Sequence, residues 1–169
     1  TGKDLYTGKI IPYKGTWLEF ETDKNDFLNV KIDRKKKVLS TVFLKAVEFY
    51  GSNEEIMNEF LEVKTTNIRA KVAKYNSTEE LISKLRTDME GSFLKEPIVD
   101  EETGEILFDT TKHIDEDFIN VIVAKDVEEL TYWEVKPEDK VMANAFWHDS
   151  TTNSDEAVLE VFKKLRPGD

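Results

Sequence analysis

Residues 11–37, IPYKGTWLEFETDKNDFLNVKIDRKKK, read as two antiparallel strands joined by the polar turn DKND. In the first strand Leu18 and Phe20 alternate with Trp17 and two glutamates, and successive side chains of a strand point to opposite faces of a sheet. Leu18 and Phe20 are therefore predicted to face the core, which leaves Trp17 on the solvent side among carboxylates. An indole in that position is expected to have a contact of its own.

The same alternation predicts how the two strands pair. Keeping both apolar sets on one face requires a single register, since a slip of one residue turns a strand over. The required pairs are 18 with 32, 20 with 30, and 22 with 28. This register places Trp17 opposite Asp33, and it makes Arg34 and the lysines that follow begin beside the indole.

The composition is that of a folded, acidic chain. Its 169 residues carry a formal net charge of −11, with 39% hydrophobic, 35% charged and 11% aromatic residues, which is too many aromatics for a disordered chain. The negative charge argues against a protein that binds nucleic acid over its whole surface. Positive charge is concentrated in KIDRKKK (31–37) and FKKLR (162–166), and such runs usually form only a solvated surface.

Several kinds of chemistry are excluded or disfavoured. The chain has no cysteine, which excludes disulfides and thiolate catalysis, and it has no glycine-rich phosphate-binding motif. His148 and Asp149 make a poor metal site because adjacent residues rarely ligate one ion. Asp115, Glu116 and Asp117 point in different directions, unlike the paired carboxylates of a glycosidase. We therefore predict no catalytic residue and no metal ligand.

The sequence also lacks the features of a membrane or exported protein. Its longest apolar runs are four or five residues, far below the roughly 20 that a membrane-spanning helix needs. The first ten residues have no apolar signal segment. These observations predict a soluble, unexported chain.

The predicted fold class is α+β. An antiparallel sheet built on the hairpin is expected to pack against a helix at about 41–50, capped by Ser40 or Thr41. A second helix, with one apolar stripe, is expected to start at Asn153 or Ser154 and to end before the Pro-Gly of the C-terminal RPGD.

Between residues 62 and 148 the sequence predicts a different set of short elements. VKTTNIRAKVAKY reads as a strand, STEELISKLR as a helix capped by Ser77, and PIVDEETGEILFD as a hairpin. DFINVIVAK is predicted as a strand, or as a short helix begun by Asp115. We therefore predict two parts: residues 1–61 with 149–169 form one domain, and residues 62–148 form a small mixed α/β module inserted into it.

The two outer segments resemble one protein family. LYTGKIIPYKGTWLEFETDKNDFLNVKIDRKKKVLSTVFLKAV (5–47) is similar to the part of bacterial DNA-directed RNA polymerase β subunits that enters their lobe domain. NSDEAVLEVFKKLRPGD (153–169) resembles the continuation of that domain. The resemblance is weaker between them, where the sequence looks like a lineage-specific insert. KKVLST departs from the family, in which a proline often follows the basic run.

This resemblance implies a nucleic-acid-binding site. In the family the lobe forms a wall of the downstream DNA cleft and contacts the non-template strand. Trp17 matches the tryptophan that stacks on an unpaired base, Asp33 and Arg34 match the Asp-Arg pair beside it, and Arg166 matches the arginine of the RPG motif. A plainer interpretation leaves Trp17 covering a neighbouring loop and Arg166 complementing a helix C-terminus.

The resemblance also implies a setting. The chain would be a non-catalytic part of DNA-directed RNA polymerase, an RNA nucleotidyltransferase whose magnesium is bound by another subunit, so no cofactor is expected here. Its partners would be the β′, α and sigma subunits, the downstream duplex and the non-template strand, in the bacterial cytoplasm with the nucleoid. A chain that starts at Thr1 would be an excised piece.

Two hypotheses compete with this one. A stand-alone protein-interaction module with an acidic recruiting surface is the main alternative. A carboxylate-dependent hydrolase that uses Asp115, Glu116 and Asp117 is a third, and it would need two acids with shifted titration near a cleft.

Overall fold

The computed structural model describes residues 3–34 and 36–168, so Lys35 of the basic run lies outside the described residues. The fold class is α+β, as predicted. The strands are β1 (Thr7–Ile10), β2 (Leu18–Thr22), β3 (Leu28–Ile32), β4 (Lys36–Leu39), β5 (Glu62–Asn67), β6 (Phe93–Leu94), β7 (Ile98–Val99), β8 (Ile106–Phe108) and β9 (Glu129–Glu134). The helices are α1 (Ser40–Ala46), α2 (Asn53–Phe60), α3 (Ile68–Val72), α4 (Thr78–Met89), α5 (Glu116–Ala124), α6 (Lys140–His148) and α7 (Ser154–Leu165), with a 3₁₀ turn at Pro137–Asp139. None of these helices is both long and apolar enough to cross a membrane.

The elements form two compact units. The outer unit comprises Thr1–Ile56 and Pro137–Asp169, and the inner unit comprises Met57–Lys136. These limits differ from the predicted ones, because α6 packs against α1 and β3 of the outer unit although the prediction placed it in the module. Ala143, Ala145 and Phe146 are the buried residues of α6. The interpretation of the inner unit as an insert stays a prediction.

The outer unit is built on a four-stranded antiparallel sheet in the order β1-β2-β3-β4. The observed pairs Leu18–Ile32, Phe20–Val30 and Thr22–Leu28 confirm the predicted register. One face of the sheet packs with α1 and α7 into a core of Leu18, Phe20, Val30, Ile32, Val38, Phe43, Leu44 and Val161. Alternate residues of each strand face this core. Trp17 and the two glutamates of β2 therefore lie on the opposite face of the sheet.

Helix α1 starts and ends earlier than predicted. Its N-cap is Leu39, with no side-chain cap hydrogen bond, so the prediction that Ser40 or Thr41 caps it is wrong. β4 continues directly into the helix, which leaves both hydroxyl residues inside it and buried. After the helix the chain turns at Glu48, whose φ of 61° lies in the left-handed region.

Helix α7 is capped as predicted. The Asn153 side chain accepts a hydrogen bond from the backbone N–H of Glu156 at 2.9 Å. The helix packs against α1 and β4, buries Ala157 and places Val161 against the core. The other members of the predicted apolar stripe are exposed: Val158, Phe162 and Leu165. Only part of the stripe therefore serves this core.

The inner unit has its own sheet and core. β5, β9 and β6 form an antiparallel sheet in that order, and β7 and β8 form the predicted hairpin. Ser77 caps α4 as predicted. Asn67 caps α3, which converts the second half of the predicted strand into helix, and Asp115 caps α5, so DFINVIVAK is a helix. The core consists of Ile68, Leu81, Leu85, Met89, Leu94, Ile98, Ile114, Phe118, Ile119, Ile122, Leu130 and Tyr132.

Candidate nucleic-acid interface

Trp17 lies immediately before β2, on the sheet face away from the core. Its backbone carbonyl accepts a hydrogen bond from the N–H of Asp33 at 3.1 Å, which confirms the predicted juxtaposition of these two residues. The Trp17 side chain is 38% exposed. Part of the indole is therefore accessible to a ligand.

The guanidinium of Arg34 lies over the Trp17 ring. The distance from the guanidinium carbon to the ring centroid is 4.4 Å, within the range of a cation–π interaction. This contact fixes the indole against the β3–β4 turn. It also leaves the planar fork of N–H donors of Arg34 beside the ring, where the fork can meet an anion or a base edge.

Exposure alone does not distinguish Trp17 from the other tryptophans. Trp147 is 59% exposed, whereas Trp133 is 1% exposed and donates its indole N–H to Asn58 at 2.9 Å. Trp17 differs in its position at a strand end, beside an Asp-Arg turn and under a guanidinium. The sequence did not indicate that Trp147 is exposed.

The turn that carries Asp33 and Arg34 has an unusual backbone. Their φ angles are 55° and 59°, and a left-handed residue with a Cβ costs about 1–2 kcal/mol. Among the described residues this is the one place where two consecutive non-glycine residues have positive φ. Strained backbone of this kind clusters at functional sites, and here it places the arginine over the indole.

The carboxylates that share the face of Trp17 are offset by lysines. Glu21 forms an ion pair with Lys31 at 2.9 Å, and Glu19 forms a longer one with Lys9 at 4.0 Å. The hydrogen bond to Glu21 raises the pKa of Lys31. The acidic neighbours of Trp17 therefore repel an anionic strand less than the sequence suggests.

Arg166, the fourth predicted residue, caps the C-terminal end of α7. Its backbone N–H donates to the carbonyl of Phe162 at 2.8 Å, and its side chain is exposed. The contacts that join Trp17, Asp33 and Arg34 to one another do not depend on it. The helix that Arg166 caps packs against β4, which is the strand that follows Arg34.

The acidic and histidine residues considered for catalysis or metal binding have other contacts. Asp115 accepts the N-cap hydrogen bond of α5 at 2.8 Å, and Glu116 pairs with Arg86 at 3.6 Å. His148 packs edge-on against Phe27, with ring centroids 4.6 Å apart. Within residues 3–34 and 36–168, no three His, Asp or Glu side chains are grouped so that they could hold a metal ion.

Comparison with known families decides the classification. The sequence model of the family described as "RNA polymerase Rpb2, domain 2" matches residues 2–91, more than half of the chain. The chain belongs to this family. The match contains Trp17, Asp33 and Arg34, whereas Arg166 lies beyond it.

Bacterial proteins align with all or nearly all of the chain. The DNA-directed RNA polymerase subunit beta of Fusobacterium nucleatum is 58% identical over 170 residues, which cover 100% of this chain and 14% of that protein. The same subunit of Anaeromyxobacter sp. is 28% identical over 225 residues (100% and 16%), and that of Koribacter versatilis is 28% identical over 214 residues (99% and 14%). The predicted resemblance to the β subunit is confirmed. The chain spans 14% to 16% of the length of these relatives.

Sequence reasoning missed one feature beside the predicted site. Lys37 and Lys164 line a common cavity of about 280 Å³, to which β3, β4, α1, α6, α7 and the segment before α7 contribute residues. Both lysines belong to basic runs that are visible in the sequence. Their meeting depends on the packing of α7 against β4, for which the sequence has no local signal.

Proposed function

We propose that this chain is the part of a bacterial RNA polymerase β subunit that forms a wall of the downstream DNA cleft and holds the non-template strand. The observation that carries the proposal is the partly exposed indole of Trp17, with the guanidinium of Arg34 at 4.4 Å from its centroid. Membership of the polymerase family supports a nucleic-acid ligand for that indole.

The proposed site binds an unpaired base and the strand that carries it. Stacking of a base on an accessible aromatic face is worth about 1–3 kcal/mol and does not require a particular sequence. Arg34 and Arg166 supply donors for phosphate oxygens or base edges. Asp33 orients Arg34 or accepts a hydrogen bond from a base amino group.

In this proposal the chain positions DNA and performs no chemistry itself. Nucleotide addition takes place elsewhere in the polymerase, with magnesium held by another subunit, and the partners are the β′, α and sigma subunits in the bacterial cytoplasm. Because the net charge is −11, the isolated chain is expected to bind DNA weakly. Its contribution depends on the other chains that hold the same DNA.

The proposal predicts that Trp17→Ala destabilises the open promoter complex. Loss of one stacked base, worth about 1–3 kcal/mol, shortens the lifetime of the complex roughly 5- to 150-fold. The measurement is the decay of open complexes formed by polymerase reconstituted with the variant β subunit. The rate of nucleotide addition on a preformed elongation scaffold is expected to stay close to wild type.

Trp147→Ala is the matched control, because it removes an exposed indole outside the proposed site. Trp17→Phe, which keeps an aromatic face, is expected to retain much of the lifetime. If Trp17→Ala leaves open-complex lifetime and pausing unchanged, or if Trp147→Ala has an equal effect, the assigned site is wrong.

A further inference from the structure

Some cations of the outer unit form ion pairs with carboxylates and others do not. Lys9, Lys31 and Lys45 each form an ion pair with a carboxylate. Within the described ranges, no ion pair is formed by the two lysines at the start of β4 or the two in the last turn of α7: Lys36, Lys37, Lys163 and Lys164. In a chain with 35 acidic and 24 basic residues, cations without a carboxylate partner are notable. They are available to an external anion.

Two of these lysines meet in one place. Lys37 from β4 and Lys164 from α7 line the cavity of about 280 Å³, and both side chains are exposed to solvent. An anion bound in this cavity would lie close to two cationic side chains, and each of them would attract it.

The cavity adjoins the face of the sheet that carries Trp17. Lys37 pairs across the sheet with Lys31, and Lys31 pairs in turn with Glu19 on β2. Residues paired in this way lie on the same face, and Glu19 is two residues from Trp17 on that strand. Two strand spacings, about 10 Å, separate β4 from β2. Lys37 therefore lies on the sheet face that carries the indole, and Lys164 lines the same cavity from α7, which packs against β4.

The acidic residues of the cavity do not cancel its positive charge. Asp149 is fully buried in an ion pair with Lys45 at 2.8 Å. Glu160 also lines the cavity and, within the described chain, forms no ion pair. Two lysines thus face one unpaired carboxylate, and this carboxylate opposes an anion.

We propose that Lys37 and Lys164 bind a phosphate group of the same nucleic-acid strand whose base stacks on Trp17. This inference rests on the proposed function, and it extends that function from a base contact to a backbone contact. Ammonium groups act as point charges toward phosphate and read no sequence. The pair therefore fixes the path of the strand, while Trp17 and Arg34 contact its base.

The test is the salt dependence of DNA binding by polymerase that contains the full-length β subunit. The probe is a duplex with an unpaired non-template segment next to its downstream half. Each single-strand phosphate contact contributes about 0.7 to the slope of log affinity against log salt concentration. Lys37→Ala/Lys164→Ala removes the contact to one phosphate and is expected to reduce the magnitude of this slope by about 0.7, whereas Lys37→Arg/Lys164→Arg is expected to retain it.

Lys24→Ala/Lys74→Ala is the matched control, because it removes the same charge from exposed positions outside the cavity. Its slope is expected to equal that of wild type. Glu160→Gln is expected to raise the affinity at low salt, since it removes the opposing carboxylate. A wild-type slope for Lys37→Ala/Lys164→Ala, or an equal loss in the control, overturns the phosphate contact.

Trp17→Ala separates this inference from the proposed function. It removes no charge, so it is expected to lower the affinity without changing the slope. If Trp17→Ala has no effect while the lysine variant loses slope, the stacking function is wrong and the backbone contact remains. If Trp17→Ala lowers the affinity and the lysine variant keeps its slope, only the inference about the lysines fails.

Discussion

Lys45 is fully buried in the outer unit and has three polar partners. Its ammonium group lies 2.8 Å from the carboxylate of Asp149, 2.8 Å from the side-chain oxygen of Asn53 and 2.6 Å from the carbonyl of Thr151. A buried charge is tolerated only with such compensation. The contacts tie α1 to the segment that leads into α7, and hence to the helix that ends beside Arg166.

Asp149→Ala is expected to lower the free energy of unfolding by about 3–5 kcal/mol, because it leaves the charge of Lys45 buried without its partner. The measurement is urea unfolding of the 169-residue chain. Lys9→Ala, which breaks an exposed pair, is the control and is expected to change stability by less than about 1 kcal/mol. A loss below about 1 kcal/mol for Asp149→Ala would contradict the role of the pair.

The sequence predicted the environment of some individual residues and not of others. The position of Trp17 follows from alternation with Leu18 and Phe20, which is a local pattern. Lys45 has no such pattern, since a lysine in a short helix is usually exposed. Its partner Thr151 lies 106 positions away, so its burial could not be predicted from neighbouring residues.

The N-terminus of α7 holds together through reciprocal hydrogen bonds. The Asn153 side chain accepts from the N–H of Glu156, and the Glu156 carboxylate accepts from the N–H of Thr152 at 2.7 Å and from its hydroxyl at 3.0 Å. These bonds lower the pKa of Glu156, the one from the backbone N–H being the largest cause. The cap therefore depends on an ionised carboxylate.

This arrangement predicts a pH dependence of stability. Because the pKa of Glu156 is lower in the folded state, its contribution is present above the unfolded pKa of about 4.3 and is lost as the pH falls through the folded pKa. Glu156→Gln is expected to be less stable than wild type at neutral pH and to approach it in acid. The measurement is the free energy of unfolding between pH 2 and 7.

Glu59→Gln is the control for this prediction, since it removes an exposed carboxylate of α2 that caps no helix. The difference in free energy of unfolding between this variant and wild type is not expected to shrink in acid as it does for Glu156→Gln. A difference between Glu156→Gln and wild type that is constant over the whole pH range would mean that the carboxylate does not stabilise the cap.

Elements were predicted well where the signal is local. The β2–β3 register and the caps at Ser77 and Asn153 depend on residues a few positions apart, and the structure confirms them. The start of α1 was predicted wrongly, because β4 enters the helix without a turn. DFINVIVAK was ambiguous because a short apolar run suits a buried strand or a helix, and the cap of Asp115 accompanies the helix.

The molecule contains two cores. The inner unit, Met57–Lys136, has a core of its own that includes Leu85, Phe118 and Ile119, each 1% exposed or less. A segment with a contiguous apolar core and its own sheet has the means to fold independently. The unfolding of the excised segment tests this directly.

Residues 57–136 alone are expected to unfold cooperatively in denaturant. Leu85→Ala in this segment is expected to cost about 2–5 kcal/mol, because it opens a cavity in the core. Val63→Ala, at an exposed position of β5, is the control, with an expected change of less than about 1 kcal/mol. A broad, non-cooperative transition of the wild-type segment would show that its core needs the outer unit.

The sequence by itself determined the α+β class, the hairpin register and the exit of Trp17 from the core, because strand alternation and helix capping act over a few residues. Only the tertiary structure decided that Lys45 is buried with Asp149 and that Lys37 and Lys164 line one cavity. These groups come from opposite ends of the chain. They meet because α7 buries part of its apolar stripe against α1 and β4, and no local period in the sequence encodes that contact.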